Sequence, residues 1–398
     1  MKILVVDDDA VSLRLLVALV ERLGHQAVTA SDGDAAWLSF VSGDCRVVIS
    51  DWTMPGMEGI DLLRRIRGRD EVAYTYFIML TARSDRADHT AGMAAGADDF
   101  LVKPVRRDEL AIRLRVAERI VGLQEELARR HRELSSANER MQRDIAAAVK
   151  VQEALLPTTM PVVPGLACAW RFSPCEQLGG DTLNLFRLDE QHLGFFILDV
   201  SGHGVPSALL AVQVSRFLSP LIMPGALLKS AQPGAPGYRL TPPLEVLRQL
   251  NGLFPMQRGN LQYFTIILGH YHLPSHRVTL VSAGHPGPVL VRRGGRVEIP
   301  AVAGDPVGFY PTENAVFAEL EVTLEPGDRI YLYSDGVVET ADGQGALLGT
   351  ARIGAALAAV VDGPLEASLD ALGALQADWR QQRPASDDVT ILAMERQL

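Results

Sequence analysis

Acidic residues follow apolar runs in the N-terminal part of the sequence, where they could hold a cation. Asp7 and Asp8 come directly after one such run, and Asp51 follows another. Acids that converge repel one another unless a cation joins them, and hard oxygen ligands suit Mg²⁺. An exposed aspartate held at such an ion can act as a nucleophile toward phosphorus. Thr81 and Lys103 end two further apolar runs, and they would donate a hydrogen bond and a positive charge to phosphoryl oxygens.

A second set of acids recurs through the C-terminal part, again beside apolar runs and glycines. The stretches "QLGGD", "LDVSGHG", "YLYSDGVVE" and "ASDDVTIL" contribute Asp181, Asp199, Asp335, Asp387 and Asp388. A glycine beside an acid allows a carbonyl or water to approach an ion closely. Several carboxylates without a thiolate suit a pair of hard divalent ions, which can clamp a phosphate and generate hydroxide from water. Any one of these acids alone could equally be an ordinary turn residue or helix cap; the ordered sets favour ion sites.

Residues 1–120 alternate short apolar strands with amphipathic helices. This alternation predicts an α/β domain with a doubly wound, parallel, five-stranded sheet. The carboxyl ends of its strands meet at one edge, so the first acidic set would converge there. The predicted strands are Ile3–Val6, Gln26–Ala30, Val47–Ser50, Phe77–Leu80 and Phe100–Val102.

Residues 108–156 carry dense charge of mixed sign and read as one long helix. An apolar residue recurs every seven positions, which is typical of a coiled-coil seam. The second seam position is poor, with Gln124, His131, Asn138, Ile145 and Gln152. A weak or adjustable coiled-coil homodimer is one interpretation, and a single helix packed on its own domain is the other. The seam residues are Ile120, Leu127, Leu134, Met141, Ala148 and Leu155.

Residues 157–398 contain many strand-like runs and fewer helices, which predicts an α+β domain with large antiparallel sheets. Residues 224–243 are rich in Pro and Gly and are predicted to form a mobile loop. The predicted strands are Leu193–Val200, Tyr263–Tyr271, Val278–Val281, Val289–Val291, Arg329–Ser334 and Val389–Met394. The predicted helices are Ser207–Leu218, Leu244–Leu250, Ile353–Val361 and Leu365–Trp379.

The bulk composition limits the partners and the compartment. The 398 residues carry a net charge of −10, which argues against nucleic acid as a main partner. Three scattered cysteines predict neither a disulfide framework nor a thiolate metal site, and they fit a reducing cytoplasm. The sequence starts "MKILVVDDD", which is unlike a signal peptide, and no apolar stretch is long and unbroken enough to predict a membrane span.

The stretches "VVDDD", "ISDWTMPGMEGIDLLRRIR", "IMLTA" and "AGADDFLVKP" resemble the receiver domain of two-component response regulators. This resemblance implies that a histidine kinase or phosphotransfer protein phosphorylates Asp51. It also implies a Mg²⁺ ion held by Asp8, Asp51 and the backbone carbonyl of Thr53, with Asp7 close by. Phe100 stands where the family places its aromatic switch residue.

The stretches "VQEALLPTTMP", "GGD", "DVSGHGVPSALL", "PLEVLRQLN", "SAGHPGPVL", "GDPVGF", "YSDGVVE" and "SDDVTILAM" appear in the order found in PPM-type (type 2C) serine/threonine phosphatases of the sporulation and stress-response branch. The resemblance implies an antiparallel β-sandwich flanked by helices and two Mn²⁺ or Mg²⁺ ions. Asp388 would be an outer or third-ion acid. The implied ligands are Asp181, Asp199, the Val200 carbonyl, Asp335 and Asp387.

The sequence departs from this phosphatase pattern at several positions. Asn184 stands where an acid is common. The phosphate-binding arginine of eukaryotic relatives has no clear counterpart, and Arg171 is the nearest basic candidate. His203 would be either a proton donor at the pocket rim or a structural residue, and the same alternatives hold for His285.

Together the resemblances divide the chain into a receiver domain (1–120), a helical coiled-coil linker (121–156) and a phosphatase domain (157–398). They imply a response regulator whose output dephosphorylates a phosphoprotein, expected to be an anti-sigma-factor antagonist. The same architecture also resembles RssB-like adaptors, which deliver a stress sigma factor to a protease. An adaptor of that kind would tolerate loss of the metal-site aspartates, and all four are present here.

Overall fold

The computed structural model describes residues 1–69, 74–82, 86–157, 160–175, 177–255 and 262–397. Residues 158–159, within the "VQEALLPTTMP" stretch, lie outside this description. The chain divides into two compact units, Met1–Arg140 and Met141–Leu398. In the described part of the chain, no helix is both long enough and apolar enough to cross a bilayer.

The N-terminal unit is a parallel five-stranded sheet with strand order β2-β1-β3-β4-β5. Its strands are apolar on both sides because helices cover both faces. The predicted α/β doubly wound fold is confirmed. Its elements are β1 (Lys2–Val6), α1 (Ala10–Arg22), β2 (Gln26–Ala30), α2 (Gly33–Ser42), β3 (Val47–Asp51), α3 (Gly59–Arg67), β4 (Tyr76–Thr81), α4 (Arg86–Ala95) and β5 (Asp99–Val102).

The next element is one continuous helix, α5 (Arg107–Glu153). Its first turns pack on the receiver sheet through Leu110, Leu114, Ala117 and Val121, which are buried beside α1. Beyond that point α5 exposes several apolar side chains, while Ile145 is partly buried. The exposed set is Leu123, Leu127, Leu134, Met141 and Val151.

The C-terminal unit contains two five-stranded antiparallel sheets, ordered β15-β12-β11-β8-β7 and β14-β13-β16-β17-β6. Its strands are β6 (Leu166–Ser173), β7 (Thr182–Arg187), β8 (His192–Val200), β9 (Lys229–Ala231), β10 (Tyr238–Leu240), β11 (Phe264–His272), β12 (Arg277–Ala283), β13 (Val289–Val291), β14 (Val297–Glu298), β15 (Ala318–Thr323), β16 (Arg329–Tyr333) and β17 (Val389–Arg396). Its helices are α6 (Val205–Phe217), α7 (Pro243–Leu253), α8 (Asp335–Val338), α9 (Thr350–Ala359) and α10 (Leu365–Trp379).

Three hydrophobic cores stack through this unit and fix its layers. The central core lies between the sheets, where Phe195 and Ile267 of one sheet face Leu332 and Leu392 of the other. A second core joins the β8–β11 sheet to α6 and α7. A third joins the other sheet to α9 and α10. The predicted β-sandwich flanked by helices is therefore confirmed.

The prediction of a mobile loop over residues 224–243 is wrong in part. This segment contains the short hairpin β9–β10, paired from Tyr238↔Ala231 to Leu240↔Lys229. Leu228 packs into the core below α6, and Thr241 is also buried. The prolines and glycines mark the turns of this hairpin rather than an unstructured connection.

Candidate functional sites

The receiver acids converge at the carboxyl edge of the parallel sheet. One carboxylate oxygen each from Asp7, Asp8 and Asp51 lies within 4.8 Å of the others, the one such acidic trio found among the described residues. Lys103 Nζ lies 2.7 Å from an oxygen of Asp7 and 2.7 Å from an oxygen of Asp51. Thr81 ends β4, whose Leu80 pairs with Asp51 in the adjacent strand. The edge therefore combines three acids with one neutralising cation.

The electrostatics of this trio suit a cation. Burial raises the pKa of Asp51 above its usual value, and the charge of Asp7 adds to this while Lys103 opposes it. Asp7 is buried, Asp8 is exposed and Asp51 lies between these extremes. A solvent-facing ligand beside a buried one is the arrangement Mg²⁺ accepts, because it retains several waters. The donor set thus fits a Mg²⁺ ion.

Trp52 directly follows Asp51, and its backbone N–H donates to Asp51 Oδ1 at 2.8 Å. Its ring lies against α4 near Phe100, which is buried. A Cβ on Gly92 would lie 2.8 Å from Phe100 Cζ and 3.0 Å from Trp52 Cζ3. Gly92 therefore makes the space for both rings, and Thr53 beyond them is exposed.

The second acidic set gathers at one end of the β-sandwich, with two members from each sheet. Asp181 directly precedes β7, and Asp199 lies near the end of β8 in the same sheet. Asp335 follows β16, and Asp387 precedes β17 in the facing sheet. The four acids grade from fully buried Asp181 to exposed Asp387. We call this end of the sandwich, with its four acids, the acidic pocket; its carboxylates are spaced more widely than the receiver trio, since no three of these described acids bring oxygens within 4.8 Å of one another.

Each of these four carboxyl groups has a pKa above its ordinary value. Burial is the largest cause throughout, and repulsion from neighbouring acids adds to it. The pKa of Asp199 rises to about 7, with Asp335 and Asp387 as its repelling neighbours. The pKa of Asp181 is raised well above its ordinary value by burial first and then by the charge of Asp199. Divalent ions would neutralise this repulsion, so the all-oxygen donor set fits such ions.

Asp181 is held by Thr390, which sequence reasoning missed, and by Asp388, which it named. Thr390 Oγ1 donates to Asp181 Oδ2 at 2.5 Å, from the strand that starts two residues after Asp387. Asp388 is buried and accepts backbone N–H groups from Cys175 at 2.9 Å and from Asp181 at 3.3 Å. Asp388 thus ties the loop before Asp181 to β17. The one polar residue inside the otherwise apolar run "VTILAM" is the signal that could have indicated Thr390.

Glycines bring the backbone close to this pocket. A Cβ on Gly180 would lie 2.5 Å from the carbonyl oxygen of Val200, the oxygen implied as a ligand. Gly202 and Gly204, on either side of His203, adopt φ values of +87° and +85°, a region that favours glycine. Gly180 therefore lets the "GGD" segment approach the end of β8, whereas Gly202 and Gly204 are required by their backbone conformation.

The two histidines occupy different surroundings. His203 is exposed, and its charge lowers the pKa of Asp387, so it lies at the open side of the pocket. His285 is buried; its Nδ1 lies 2.8 Å from Thr265 Oγ1, while Ser282 donates to its carbonyl. Burial lowers the pKa of His285 to about 3, so the ring is neutral. Thr265 is the cross-strand partner of Asp199, so the side chain that His285 contacts lies on the same face of the sheet as Asp199.

The suggestion that Arg171 could bind phosphate is wrong. Its Nη1 donates to the carbonyl of Leu369 at 3.0 Å, and its Nη2 pairs with Asp370. Both partners belong to α10, on the outer face of the β6–β17 sheet. The guanidinium is therefore already bound to a helix on a different face from the acidic pocket.

Comparison with protein families agrees with this geometry. The sequence profile of the Stage II sporulation protein E (SpoIIE) family matches residues 189–397, more than half of the chain. The chain belongs to the SpoIIE family. The response regulator receiver domain profile matches residues 3–115. This SpoIIE-family protein therefore joins a receiver domain to a SpoIIE-type domain, as the sequence predicted.

Individual relatives cover one or both halves of this SpoIIE-family chain. It is 29% identical over 289 residues to the Regulator of RpoS from Escherichia coli K12, covering 71% of this chain and 81% of that protein. It is 39% identical over 114 residues to the phosphate regulon regulator PhoB of Rhizobium meliloti, covering 29% of this chain and 50% of that protein. The SiaA-PP2C domain of Pseudomonas aeruginosa superimposes with a TM-score of 0.53 at 21% identity, covering 65% of this chain and 98% of that domain, a likeness of fold.

Proposed function

We propose that this protein is a response regulator whose output is a metal-dependent serine/threonine phosphoprotein phosphatase. The observation that carries the proposal is the convergence of Asp181, Asp199, Asp335 and Asp387 from two sheets into one pocket. An acidic set that is buried at one side and open at the other suits ions that hold a phosphate presented from solvent. Such a set would be costly to bury if no cation neutralised it.

In this proposal Asp181, Asp199, Asp335, Asp387 and the Val200 carbonyl hold two Mn²⁺ or Mg²⁺ ions. The ions would supply a hydroxide and a positive clamp for the phosphate oxygens. Asp199 interacts with acids of both sheets, which supports its assignment as the ligand shared by the two ions. Thr390 and Asp388 would orient Asp181 and its loop, as groups beyond the direct ligands commonly do.

The exposed side of the pocket bears on the substrate class. Asp387 and His203 both face solvent there, so a phosphorylated side chain on a protein surface can reach the acids. We propose a phosphoserine or phosphothreonine on a folded partner, with an anti-sigma-factor antagonist as the candidate substrate. In this proposal His203 would protonate the leaving oxygen.

The receiver would control this output. We propose that a histidine kinase or phosphotransfer protein phosphorylates Asp51 beside a Mg²⁺ ion held by Asp8, Asp51 and the Thr53 carbonyl. Lys103 would neutralise the added phosphoryl charge, and Thr81 would donate to it. The exposed seam residues Leu127 and Leu134 support a homodimer formed along α5.

The test compares the full chain with Asp199→Asn for Mn²⁺-dependent hydrolysis of p-nitrophenyl phosphate and of a phosphoserine peptide. We expect wild-type turnover that a chelator abolishes, and at least a hundredfold loss in Asp199→Asn with the fold retained by circular dichroism. Asp362→Asn is the matched control, because Asp362 is exposed and its neighbour Gly363 contacts Arg329, at the end of β16 opposite Asp335. Equal turnover in Asp199→Asn and wild type would refute the proposal.

A second candidate function is that of a non-catalytic adaptor. The observation that favours it is the likeness to the Regulator of RpoS, which extends over both halves of the chain. In that case the chain would bind a sigma factor, or a protein that regulates one, without hydrolysing phosphate. Absence of both turnover and Mn²⁺ binding, together with capture of a purified sigma factor by the full chain, would favour the adaptor.

A further inference from the structure

The last turn of α5 contains one polar side chain that is buried. Gln152 is 4% exposed, whereas its neighbour Val151 is 56% exposed. Burying a polar amide is unfavourable unless it finds hydrogen-bond partners, so its contacts indicate what it is there to hold. Gln152 belongs to the C-terminal unit, as do all the residues it contacts.

The partners of Gln152 lie on the loop that carries the candidate ligand Asp181. Its Nε2 donates to the carbonyl of Gly179 at 2.8 Å and approaches the carbonyl of Asp181 itself at 3.4 Å. The two carbonyls lie on either side of Gly180, whose α-carbon faces the Val200 oxygen. One amide from the helix therefore fixes the backbone at the point where two proposed ligands meet.

A second amide makes a contact in the opposite direction. Asn184 belongs to β7, the strand that follows Asp181. Its Nδ2 donates to the carbonyl of Leu155, just after the end of the helix, at 3.2 Å. An aspartate here would place a carboxylate against that carbonyl and could not donate. This contact accounts for a neutral residue at a position where acids are common in related phosphatases.

The segment that ends the helix is packed into the core on one side and borders a cavity on the other. Leu156 packs in the core between the sheets. An open cavity of about 410 Å³ adjoins the anchor, lined in part by Leu155, Pro161, Asn184 and Phe186. The cavity leaves room for the last turn of the helix to shift. The two amide hydrogen bonds would transmit such a shift to the Asp181 loop.

We propose that Gln152 and Asn184 form an amide clamp that couples the end of α5 to the Asp181 loop and thereby sets the divalent-cation affinity of the phosphatase pocket. They are positioning residues, because they touch the ligand's backbone and not the substrate. The proposal rests on the proposed function. It adds that the linker helix, which is continuous from the receiver to Gln152, acts on the ions rather than on access to the pocket.

Loss of the clamp should weaken cation binding rather than the chemistry of bound ions. Gln152→Glu keeps the shape of the side chain but replaces a donor with a charge facing two carbonyls. Gln152→Ala removes the contact altogether, and Asn184→Asp breaks the second contact. We expect each variant to bind Mn²⁺ at least tenfold more weakly by isothermal titration calorimetry of the full chain.

The control is Gln124→Glu, the same substitution at an exposed position of the same helix, which should bind Mn²⁺ as wild type does. At saturating Mn²⁺ the variants should recover kcat to within about twofold, with thermal midpoints near that of wild type. Faster hydrogen exchange at the amides of residues 180–182 should accompany the weaker binding. A merely structural role would lower the thermal midpoint and kcat together.

The clamp proposal is overturned if Gln152→Glu and Gln152→Ala bind Mn²⁺ as tightly as wild type. It is also overturned if they bind more weakly but cannot be rescued by added Mn²⁺. The first outcome is read from binding and exchange and does not depend on turnover. If wild type binds Mn²⁺ without hydrolysing phosphate, the proposed function fails while the clamp is still tested.

Discussion

The Nζ atom of Lys103 lies 2.7 Å from Oδ2 of Asp51, with Asp7 at the same distance on its other side. The ammonium thus occupies a position that competes electrostatically with a divalent ion at the acidic trio. We predict that Lys103→Met binds Mg²⁺ about tenfold more tightly, about 1.4 kcal/mol, because one neutralising charge is lost. The same variant should retain less phosphoryl group on Asp51 after treatment with acetyl phosphate.

Isothermal titration with Mg²⁺ and phosphate-affinity electrophoresis measure these two effects. Lys150→Met, which removes an exposed lysine of α5, is the control and should behave as wild type. Weaker Mg²⁺ binding in Lys103→Met would mean that the ammonium orders the acids more than it competes with the ion.

The approach of Gly180 to the Val200 carbonyl gives a second prediction. Gly180→Ala would place a Cβ 2.5 Å from that oxygen, against backbone that cannot move without displacing β8. We expect Mn²⁺-dependent activity to fall at least a hundredfold and stability by about 2 kcal/mol or more, from overpacking. Gly122→Ala is the matched control, since nothing lies within 4 Å of its Cβ position in α5.

We also expect a specific effect of the control variant Gly122→Ala. Alanine in the middle of a helix should stabilise the protein by about 0.5–1 kcal/mol relative to glycine. Chemical denaturation and Mn²⁺-dependent turnover check both variants. Full activity in Gly180→Ala would show that the two loops separate easily and that the Val200 oxygen is not needed at an ion.

The exposed seam of α5 leads to a third prediction. Leu127 and Leu134 are 63% and 71% exposed in the single chain, which is unfavourable for a repeating apolar stripe. We predict that the full chain is a dimer by light scattering and that Leu127→Asp with Leu134→Asp shifts it to monomer. Arg132→Asp with Ser136→Asp, on the opposite face of the helix, should leave the dimer intact. A wild-type monomer at micromolar concentration would contradict this.

His285 provides a prediction about pH. Its pKa falls from 6.5 to about 3 on burial, so between these values the unfolded chain binds a proton that the folded chain does not. Stability contributed by the neutral ring is therefore present above pH 6.5 and is lost as pH falls. The expected loss between pH 7 and pH 5 is about 2 kcal/mol.

His285→Asn keeps a polar group near Thr265 but cannot titrate. The variant should be less stable than wild type at pH 7, and the difference should shrink by about 2 kcal/mol at pH 5. Urea unfolding at the two pH values measures this difference. His131→Asn, in the exposed part of α5, should show no such change, and a constant difference for His285→Asn would exclude a buried neutral ring.

Much of the fold could be predicted from the sequence. Two of the strands that were missed, β15 and β6, lack a clear hydrophobic pattern, each for its own reason. Strong apolar runs such as Gln26–Ala30 and Val289–Val291 were predicted to the residue. β15 (Ala318–Thr323) was missed because it is an edge strand whose glutamates alternate with partly exposed residues. β6 was missed because its buried residues do not alternate, as helix α10 covers one side of it.

The candidate sites also contain residues that the sequence reveals and residues that only the structure reveals. The strand-end acids were recognisable because a carboxylate after an apolar run is a local pattern. The contacts that hold them are not local: Thr390 meets Asp181 from 209 positions away. Gln152 looked like a weakness in the coiled-coil seam, and only the fold shows that this polar residue faces a carbonyl-lined loop instead of a partner helix.

The acidic pocket draws two of its four aspartates from each layer of the sandwich, so the gap between the layers sets how far apart the two pairs stand. A substitution deep in the interior, at Leu332 or Leu392 for example, would change that gap slightly and tune which ion fits. Mg²⁺ tolerates little distortion of its octahedral shell. Interior variants that still fold should therefore lose Mg²⁺-dependent activity before they lose Mn²⁺-dependent activity. The preference for one metal over the other then reports the distance between the two sheets.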